Sequence, residues 1–383
     1  MAIEVDYRFP PGTDIAKQAT VIAIGQTVGS WDDRWTSREG AFRDRLGQVV
    51  KIEENTATIA FPEQNVEGDI ASLLTMIFGK YSMAGAAKVT AVRLPEDYGV
   101  RPKFGISGIR EKLGVSDRPL VMAIFKPALG LSAADHGQIL SEVAPAGLDV
   151  IKDDEIMADL ASAPTFERLK ACREVIDRAR DQTGKELLYA TNLTGRGNEL
   201  VDKARRLVAA GANALLFNAL TYGFSALEAL ALDPEINVPI FAHPALAGAL
   251  CGAPDHGLDY SVVLGTLMAR SGADAVLYPA HYGSLPFEKS QEMIIRSELV
   301  DRNVFPVPSA GIHPGVVPKA LADYGDRVIL NAGTGIMDHP QGAAAGVKAF
   351  FEALDKAQVG VSFRTEEIEA GPLRSALDKW GAV

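Results

Sequence analysis

Residues 148–155 read LDVIKDDE, a short apolar run that closes on a lysine and three acids. The run before it, VMAIFKP (121–127), also closes on a lysine near its end. Six more apolar runs follow: LLYATNL (187–193), ALLFNA (214–219), PIFAHP (239–244), AVLYPA (275–280), VFPVPSAG (304–311) and VILNAG (328–333). Segments with helical periodicity separate them. Two of these, TFERLKACREVIDRARDQTG and NELVDKARRLVAAG, end in the glycine that commonly stops a helix. Apolar strands alternating with helices imply a parallel sheet buried on both faces. Eight such units over about 250 residues is the size of a (β/α)₈ (TIM) barrel. A doubly wound open sheet is the competitor, but it would usually carry a Gly-rich dinucleotide turn after its first strand. KPALGLS is not one.

Toward the N-terminus the pattern changes. VDYRF, VVKIEE, ATIAFP and KVTAVRLP read as strands, and DIASLLTMIFG reads as a helix. This predicts a small α+β, ferredoxin-like domain over residues 1–115. The barrel follows over 116–383 with a C-terminal helical tail, and RPKFGISGIREKLGVSDRPL serves as linker and cap.

Composition narrows the function classes. The 383 residues are 47% hydrophobic and 23% charged, as expected of a globular protein. A formal net charge of -11 argues against nucleic acid or an anionic membrane as partner. An anionic substrate would need a local positive site. The two cysteines, Cys172 and Cys251, lie in no metal-ligand spacing and suggest a reducing compartment. The start, MAIEVDYRFPPG, has no apolar signal region, and no apolar run reaches bilayer length, so the expectation is a cytoplasmic protein.

Barrel chemistry sits at the C-terminal ends of the strands. There the chain places Lys126, then Lys152, Asp153, Asp154 and Glu155, then Asn192, Asn218 and His243. Strand alternation sends Lys152 and Asp154 to one face and Asp153 to the other; Glu155 can turn toward the first face as the strand ends. Two carboxylates near one point suit Mg²⁺. A lysine facing the same point fits if it is neutral or carries CO₂ as a carbamate; a solvated acidic loop with a paired lysine is the plainer alternative. Glycines in SAG and NAGTG, after strands 7 and 8, fit the usual barrel phosphate site or ordinary turns. His243 could orient a substrate oxygen, shuttle a proton or simply fill the core. His136, His256 and His281 carry no signal of a role.

FKPALGLS, GLDVIKDDE, AHPA, PSAGIHPG and NAGTGIMDHPQGA resemble, in order, strand-end motifs of the RuBisCO large-chain superfamily. GQTVGSW (25–31) resembles that superfamily's N-terminal segment, and the likeness spans about residues 20 to 380. The resemblance implies an enzyme in which Lys152 is carbamylated (N6-carboxylysine) and binds Mg²⁺ with Asp154 and Glu155. It implies that Lys126 contacts the reacting carbons, that His243 is the strand-5 active-site histidine, and that Ser309, Gly311, Gly333 and Thr334 contact phosphate. It also implies a homodimer or larger assembly in which one subunit's small domain completes the partner's barrel site.

The departures bear on the reaction. Carboxylases hold the new carboxylate with a lysine on the loop after strand 6. In PAHYGSLPFEKS the only lysine, Lys289, lies further along and outside a GK pair. Pro244 stands where carboxylases have an arginine for a second phosphate, and Ala247 where they have a second histidine. These differences imply a RuBisCO-like protein with a monophosphate substrate and no carboxylase activity. TVGSW, FGKYSM, PKFGISGIR, LLYATNLTGR, ALLFN, AHPALAGA, SAGIHPG and ALDKWG resemble the 2,3-diketo-5-methylthiopentyl-1-phosphate enolases of methionine salvage. That likeness makes Lys80, the FGK lysine, the general base that removes the proton beside the phosphate, reaching in from the neighbouring subunit. Read from the residues alone, Lys80 is a surface lysine at a helix C-terminus, where a cation suits the dipole. FKPALGLS departs from the FKGVIG of that group. This keeps two alternatives in view: a decarboxylase of a sugar-acid phosphate such as 3-oxo-isoapionate 4-phosphate, or an isomerase of methylthioribulose phosphate. A non-catalytic interaction protein is the remaining alternative.

Overall fold

The computed structural model describes residues 2–30, 33–361, 363–364 and 367–383. Trp31 of GQTVGSW lies outside the described residues. The small sheet begins with β1 (Ala2–Arg8), β2 (Gln48–Glu53), β3 (Thr56–Pro62) and β4 (Lys88–Arg93). Along β1 the alternation is clean, with Ile3, Val5 and Tyr7 buried between less buried Glu4, Asp6 and Arg8. β1 pairs antiparallel with both β3 and β4, in the order β4-β1-β3-β2. Helical segments follow β1 and β3, which completes the ferredoxin-like arrangement. The first of them, Ile15–Gly25, carries little helical signal in the sequence. Its apolar residues do not stand out as one stripe, and its clearest signal is the Asp14 cap, which accepts from the Lys17 N–H at 3.2 Å.

The second helical segment runs α-helical over Ile70–Leu74, widens to a π-helical turn over Thr75–Gly79 and tightens over Lys80–Met83. Side chains take carbonyls of the widened turn: Tyr7 donates to Ile77 O at 2.5 Å and Gln26 to Met76 O at 2.7 Å. The expected single helix is therefore three forms in succession.

Each of the eight apolar runs marks one barrel strand: β5 (Leu120–Ile124, beginning one residue before its run), β6 (Val150–Lys152), β7 (Leu188–Asn192), β8 (Ala214–Phe217) and β9 (Ile240–Ala242). After β10 (Gly257–Leu258) come β11 (Ala275–Pro279), β12 (Phe305–Ser309) and β13 (Ile329–Ala332). The eight are parallel and ordered β12-β11-β9-β8-β7-β6-β5-β13. The end strands β12 and β13 lie against each other, although no ladder joins them among the described residues. The sheet thus closes into a barrel with a seam. The short β10 leaves the barrel and pairs parallel with β4, tying the two sheets together.

Inward-facing Met122, Val150, Leu188, Leu216, Phe241 and Val307 fill the barrel, and helix Gly105–Leu113 closes its lower end with Ile106, Ile109 and Leu113. That helix lies ahead of residue 115, yet its apolar face belongs to the barrel core. Gly105 permits the close approach: at φ 56°, an added Cβ would stand 2.0 Å from Asn303 O. Helix Thr165–Thr183 ends as expected at Gly184, whose φ is 70°. Among the described residues, no helix is long and apolar enough to cross a membrane.

Candidate active site

Strand alternation carries the core pattern up to the barrel mouth. Two positions beyond the inward-facing Val150, Ala190, Leu216, Phe241, Val307 and Ile329 stand Lys152, Asn192, Asn218, His243, Ser309 and Asn331. Six strands thus change from apolar to polar at one level.

Lys152 is at the centre, with 1% of its surface exposed. Its Nζ donates to Asp153 O at 3.0 Å and lies 3.5 Å from Glu155 Oε2. Burial pushes its pKa down, against the upward pull of Glu155 and Asp154. Asp154 receives the Lys126 ammonium at 2.6 Å. Glu155 Oε2 also faces His243 Nε2 at 3.4 Å. The His243 pKa falls to about 3, first through burial and then through the Lys152 charge, so the ring is neutral. Its Nδ1 accepts the Ala245 N–H at 3.2 Å, which leaves the hydrogen on Nε2, toward Glu155.

Two asparagines hold the backbone of this segment. Asn192 Nδ2 donates to Glu155 O at 3.1 Å and Met157 O at 3.0 Å, and Asn218 Nδ2 donates to Glu155 O at 3.0 Å. Asp153 faces the opposite way. It pairs with buried Arg168 at 3.1 Å, accepts Tyr189 OH at 2.7 Å and accepts the Asn192 N–H at 2.9 Å. It braces the strand against the helix layer.

These residues suit a magnesium site. Among the described residues no group of three or more His, Cys, Asp or Glu is placed to hold a metal, and Asp154 and Glu155 offer two carboxylates. A buried amine whose charge is disfavoured is suited to react with CO₂, and a carbamate there would add an anionic oxygen beside Glu155. The carboxamide oxygens of Asn192 and Asn218 are buried with no hydrogen-bond partner among the described residues. Two further acceptors are thus left for water or ligand near the mouth.

The glycine segments meet across the β12–β13 seam. Asn331 Nδ2 donates to Ser309 Oγ at 2.9 Å, bridging the strands where the ladder is missing. Ala310 and Gly311 both take positive φ, 65° and 98°. Gly333 sits beside Lys126: a Cβ there would come within 3.7 Å of Lys126 Cε. Thr334 follows at the start of a short helix. Gly333 therefore flanks Lys126 on the side away from β6, with Thr334 next in the chain and Ser309 and Gly311 one strand further round, beyond the seam.

Not every predicted residue is gathered here. Lys80 is exposed, and among the described residues no hydrogen bond or ion pair joins its side chain to the barrel mouth. Lys289 begins the helix Lys289–Asp301 and faces Asp323 at 4.0 Å. His281, which carried no signal in the sequence, proves to be held by Glu292 at 2.6 Å. The partner lies eleven residues downstream on a helix, a separation that no motif marks.

Comparison with known proteins matches this architecture. The family described as "Ribulose bisphosphate carboxylase large chain, catalytic domain" matches residues 105–292 and 285–380. The chain is 64% identical to a 2,3-diketo-5-methylthiopentyl-1-phosphate enolase of Microcystis aeruginosa, with each chain covered in full. It is 42% identical to the enzyme of that name from Exiguobacterium sibiricum, over 99% of this chain and 98% of the other. Among solved structures, a rubisco-like protein (MtnW) from Alicyclobacillus acidocaldarius superposes with TM-score 0.92 at 38% identity, each chain being covered in full. The octameric ribulose-1,5-bisphosphate carboxylase/oxygenase of Pyrococcus horikoshii does so with TM-score 0.92 at 28% identity, over 99% of this chain and 93% of that one. The chain belongs to the ribulose bisphosphate carboxylase large-chain family, among its RuBisCO-like members.

Proposed function

We propose that this chain is a Mg²⁺-dependent 2,3-diketo-5-methylthiopentyl-1-phosphate enolase of methionine salvage, without carboxylase activity. The observation that carries the reading is 64% identity along the whole length of an enzyme of that name. The departure of FKPALGLS from FKGVIG, which puts Pro127 after Lys126, does not outweigh it, because the likeness to that enzyme runs through the whole chain.

Lys152 as its carbamate, Asp154 and Glu155 would hold the metal. A magnesium ion there would supply electrostatic stabilisation of charge on the substrate's carbonyl oxygens, acidifying the neighbouring C–H. Ser309, Gly311, Gly333 and Thr334 bind the phosphate and so fix which carbon is presented. Lys80 acts as the general base and removes a proton from the phosphate-bearing carbon. The released electron pair forms the carbon–carbon double bond as the C=O π pair moves onto oxygen, and the resulting enolate takes a proton from solvent to give the enol, Lys80 returning its proton to solvent. Lys126, between the glycines and Asp154, donates to that oxygen as its charge grows. His243 stays neutral and orients Glu155 and the bound substrate through Nε2–H.

Lys80 reaches a barrel mouth in a second copy of the chain, so the active unit is a homodimer or a larger assembly. Leu129, Ile156, Leu246 and Leu285 are exposed on the loops around the mouth. Met83, three residues after Lys80, is 83% exposed. Apolar side chains left outward on both the rim and the lysine segment support docking of one on the other.

The test is ultraviolet spectroscopy of the conjugated enol, with Mg²⁺ and bicarbonate present. Rapid, Mg²⁺-dependent enol formation is expected. No enol, with CO₂ released instead from a sugar-acid phosphate, would replace this reading with the decarboxylase.

A further inference from the structure

The loop after β11 is built as a bracket. Glu292, buried on helix Lys289–Asp301, accepts the His281 backbone N–H and the His281 Nδ1–H on one oxygen, each at 2.6 Å. Its other oxygen accepts the Tyr324 hydroxyl, which in turn lies 3.4 Å from Tyr278 OH. His281 is therefore fixed in both backbone and ring. Two residues on, the Gly283–Ser284 turn presses against the phosphate loop. Ser284 N–H donates to Ala310 O at 2.7 Å, and Ala280 N–H donates to Ser309 O at 3.0 Å. Contact is so close that a Cβ on Gly283 would stand 2.0 Å from Ala310 O, and one on Gly311 would stand 2.7 Å from Ser284 N.

Ala310 needs such a hold. With φ at 65° it occupies a left-handed conformation that an L-residue enters only at a cost, so surrounding contacts must maintain it. The Ser284 N–H contacts the Ala310 carbonyl directly.

We infer that Glu292 is a positioning residue for the phosphate site: through His281 and the Gly283–Ser284 turn it holds Ala310 and Gly311 in their left-handed conformations. The inference rests on the reading that Ser309 and Gly311 bind the substrate phosphate. It makes the start of the loop after the sixth barrel strand, residues 280–284, a fixed wall of that site. Glu292 touches no reacting atom, so its effect falls on phosphate affinity and spares the proton transfer.

Two variants test this in the full-length protein. Glu292→Gln keeps the size of the side chain but replaces one accepting oxygen with a donor. Gly283→Ala leaves Glu292 intact and pushes the turn away from Ala310. For each, kcat and KM are measured with the phosphorylated diketone, and inorganic phosphate serves as competitive inhibitor. Both variants are expected to raise KM and the phosphate inhibition constant by about tenfold, the effect of losing about one hydrogen bond between the displaced Ala310–Gly311 segment and the phosphate, with kcat within about threefold. The double variant is expected to be no worse than the poorer single one, since both act on the same contact. Wild-type phosphate inhibition in Gly283→Ala, or in a folded Glu292→Gln, overturns the inference. So does a fall in kcat with no change in phosphate inhibition. The underlying phosphate assignment is tested separately by Ser309→Ala and Gly333→Ala: if neither weakens phosphate inhibition, that assignment fails whatever the Glu292 result.

Discussion

The Lys126 ammonium donates to Asp154 Oδ2 at 2.6 Å, placing a positive charge on one of the two carboxylates assigned to magnesium. Cation and ammonium compete for the same carboxylate. Lys126→Met is expected to tighten Mg²⁺ binding up to about fivefold, the worth of a partly exposed ion pair, while enolisation falls by a far larger factor. Calorimetric titration with Mg²⁺ in bicarbonate measures the first effect and the enol assay the second. Weaker Mg²⁺ binding in Lys126→Met would contradict the competition.

Asp153 and Arg168 form an ion pair with no exposed surface on either side chain, 3.1 Å apart. Removing one partner strands a buried charge. Arg168→Met is expected to destabilise the fold by about 3–5 kcal/mol, measured by urea unfolding. Arg168→Met combined with Asp153→Asn should recover part of that loss. A single variant as stable as the wild type would show that the pair braces nothing.

The base and the metal set are assigned to different subunits, which a mixing experiment can separate. Lys80→Ala and Lys152→Ala are each expected to be inactive alone. Unfolded and refolded together, or co-expressed, they should regain about a quarter of wild-type activity, since half the dimers are mixed and each holds one intact site of two. No recovery in verified mixed dimers would place Lys80 and Lys152 of one chain in the same site.

Glu228 links the parts of the molecule by accepting the Ile70 N–H at 3.0 Å. Burial raises its pKa above the ordinary 4.5. A raised value in the folded state means that this carboxyl adds stability below pH 4.5 and loses that contribution as pH rises through its folded-state value. Glu228→Gln keeps an acceptor and removes the buried charge. It is expected to be more stable than wild type at neutral pH, with the advantage vanishing on acidification below 4.5. Thermal unfolding across pH checks the sign; a disadvantage at neutral pH would contradict it.

The barrel strands were legible because each is apolar along its length and ends in turn or polar residues. VMAIFKP and LDVIKDDE state both the strand and the point where it reaches the mouth. The placement of Asp153 opposite Lys152 and Asp154 followed from alternation alone, and Asp153 is found on Arg168 and Tyr189. Other features depend on contacts distant in the chain. Helix Ile15–Gly25 lacks a clear amphipathic stripe, β10 is a two-residue strand recruited by the small sheet, and Glu292 holds His281 from a separate helix. Lys80 shows the opposite limit. Only resemblance gives it a role, because its working environment is assigned to another copy of the chain.

The central claim is proton removal by Lys80 at a magnesium-loaded barrel mouth. It is tested most directly by proton magnetic resonance of 2,3-diketo-5-methylthiopentyl-1-phosphate in D₂O, with Mg²⁺, bicarbonate and enzyme. The wild type is predicted to form the enol, with loss of a proton signal from the phosphate-bearing carbon. Lys80→Ala is predicted to bind Mg²⁺ normally yet slow that loss by about a hundredfold or more, as expected when a general base is removed. A wild-type enzyme that leaves those protons untouched, or a Lys80→Ala variant that removes them at the wild-type rate, would contradict the account.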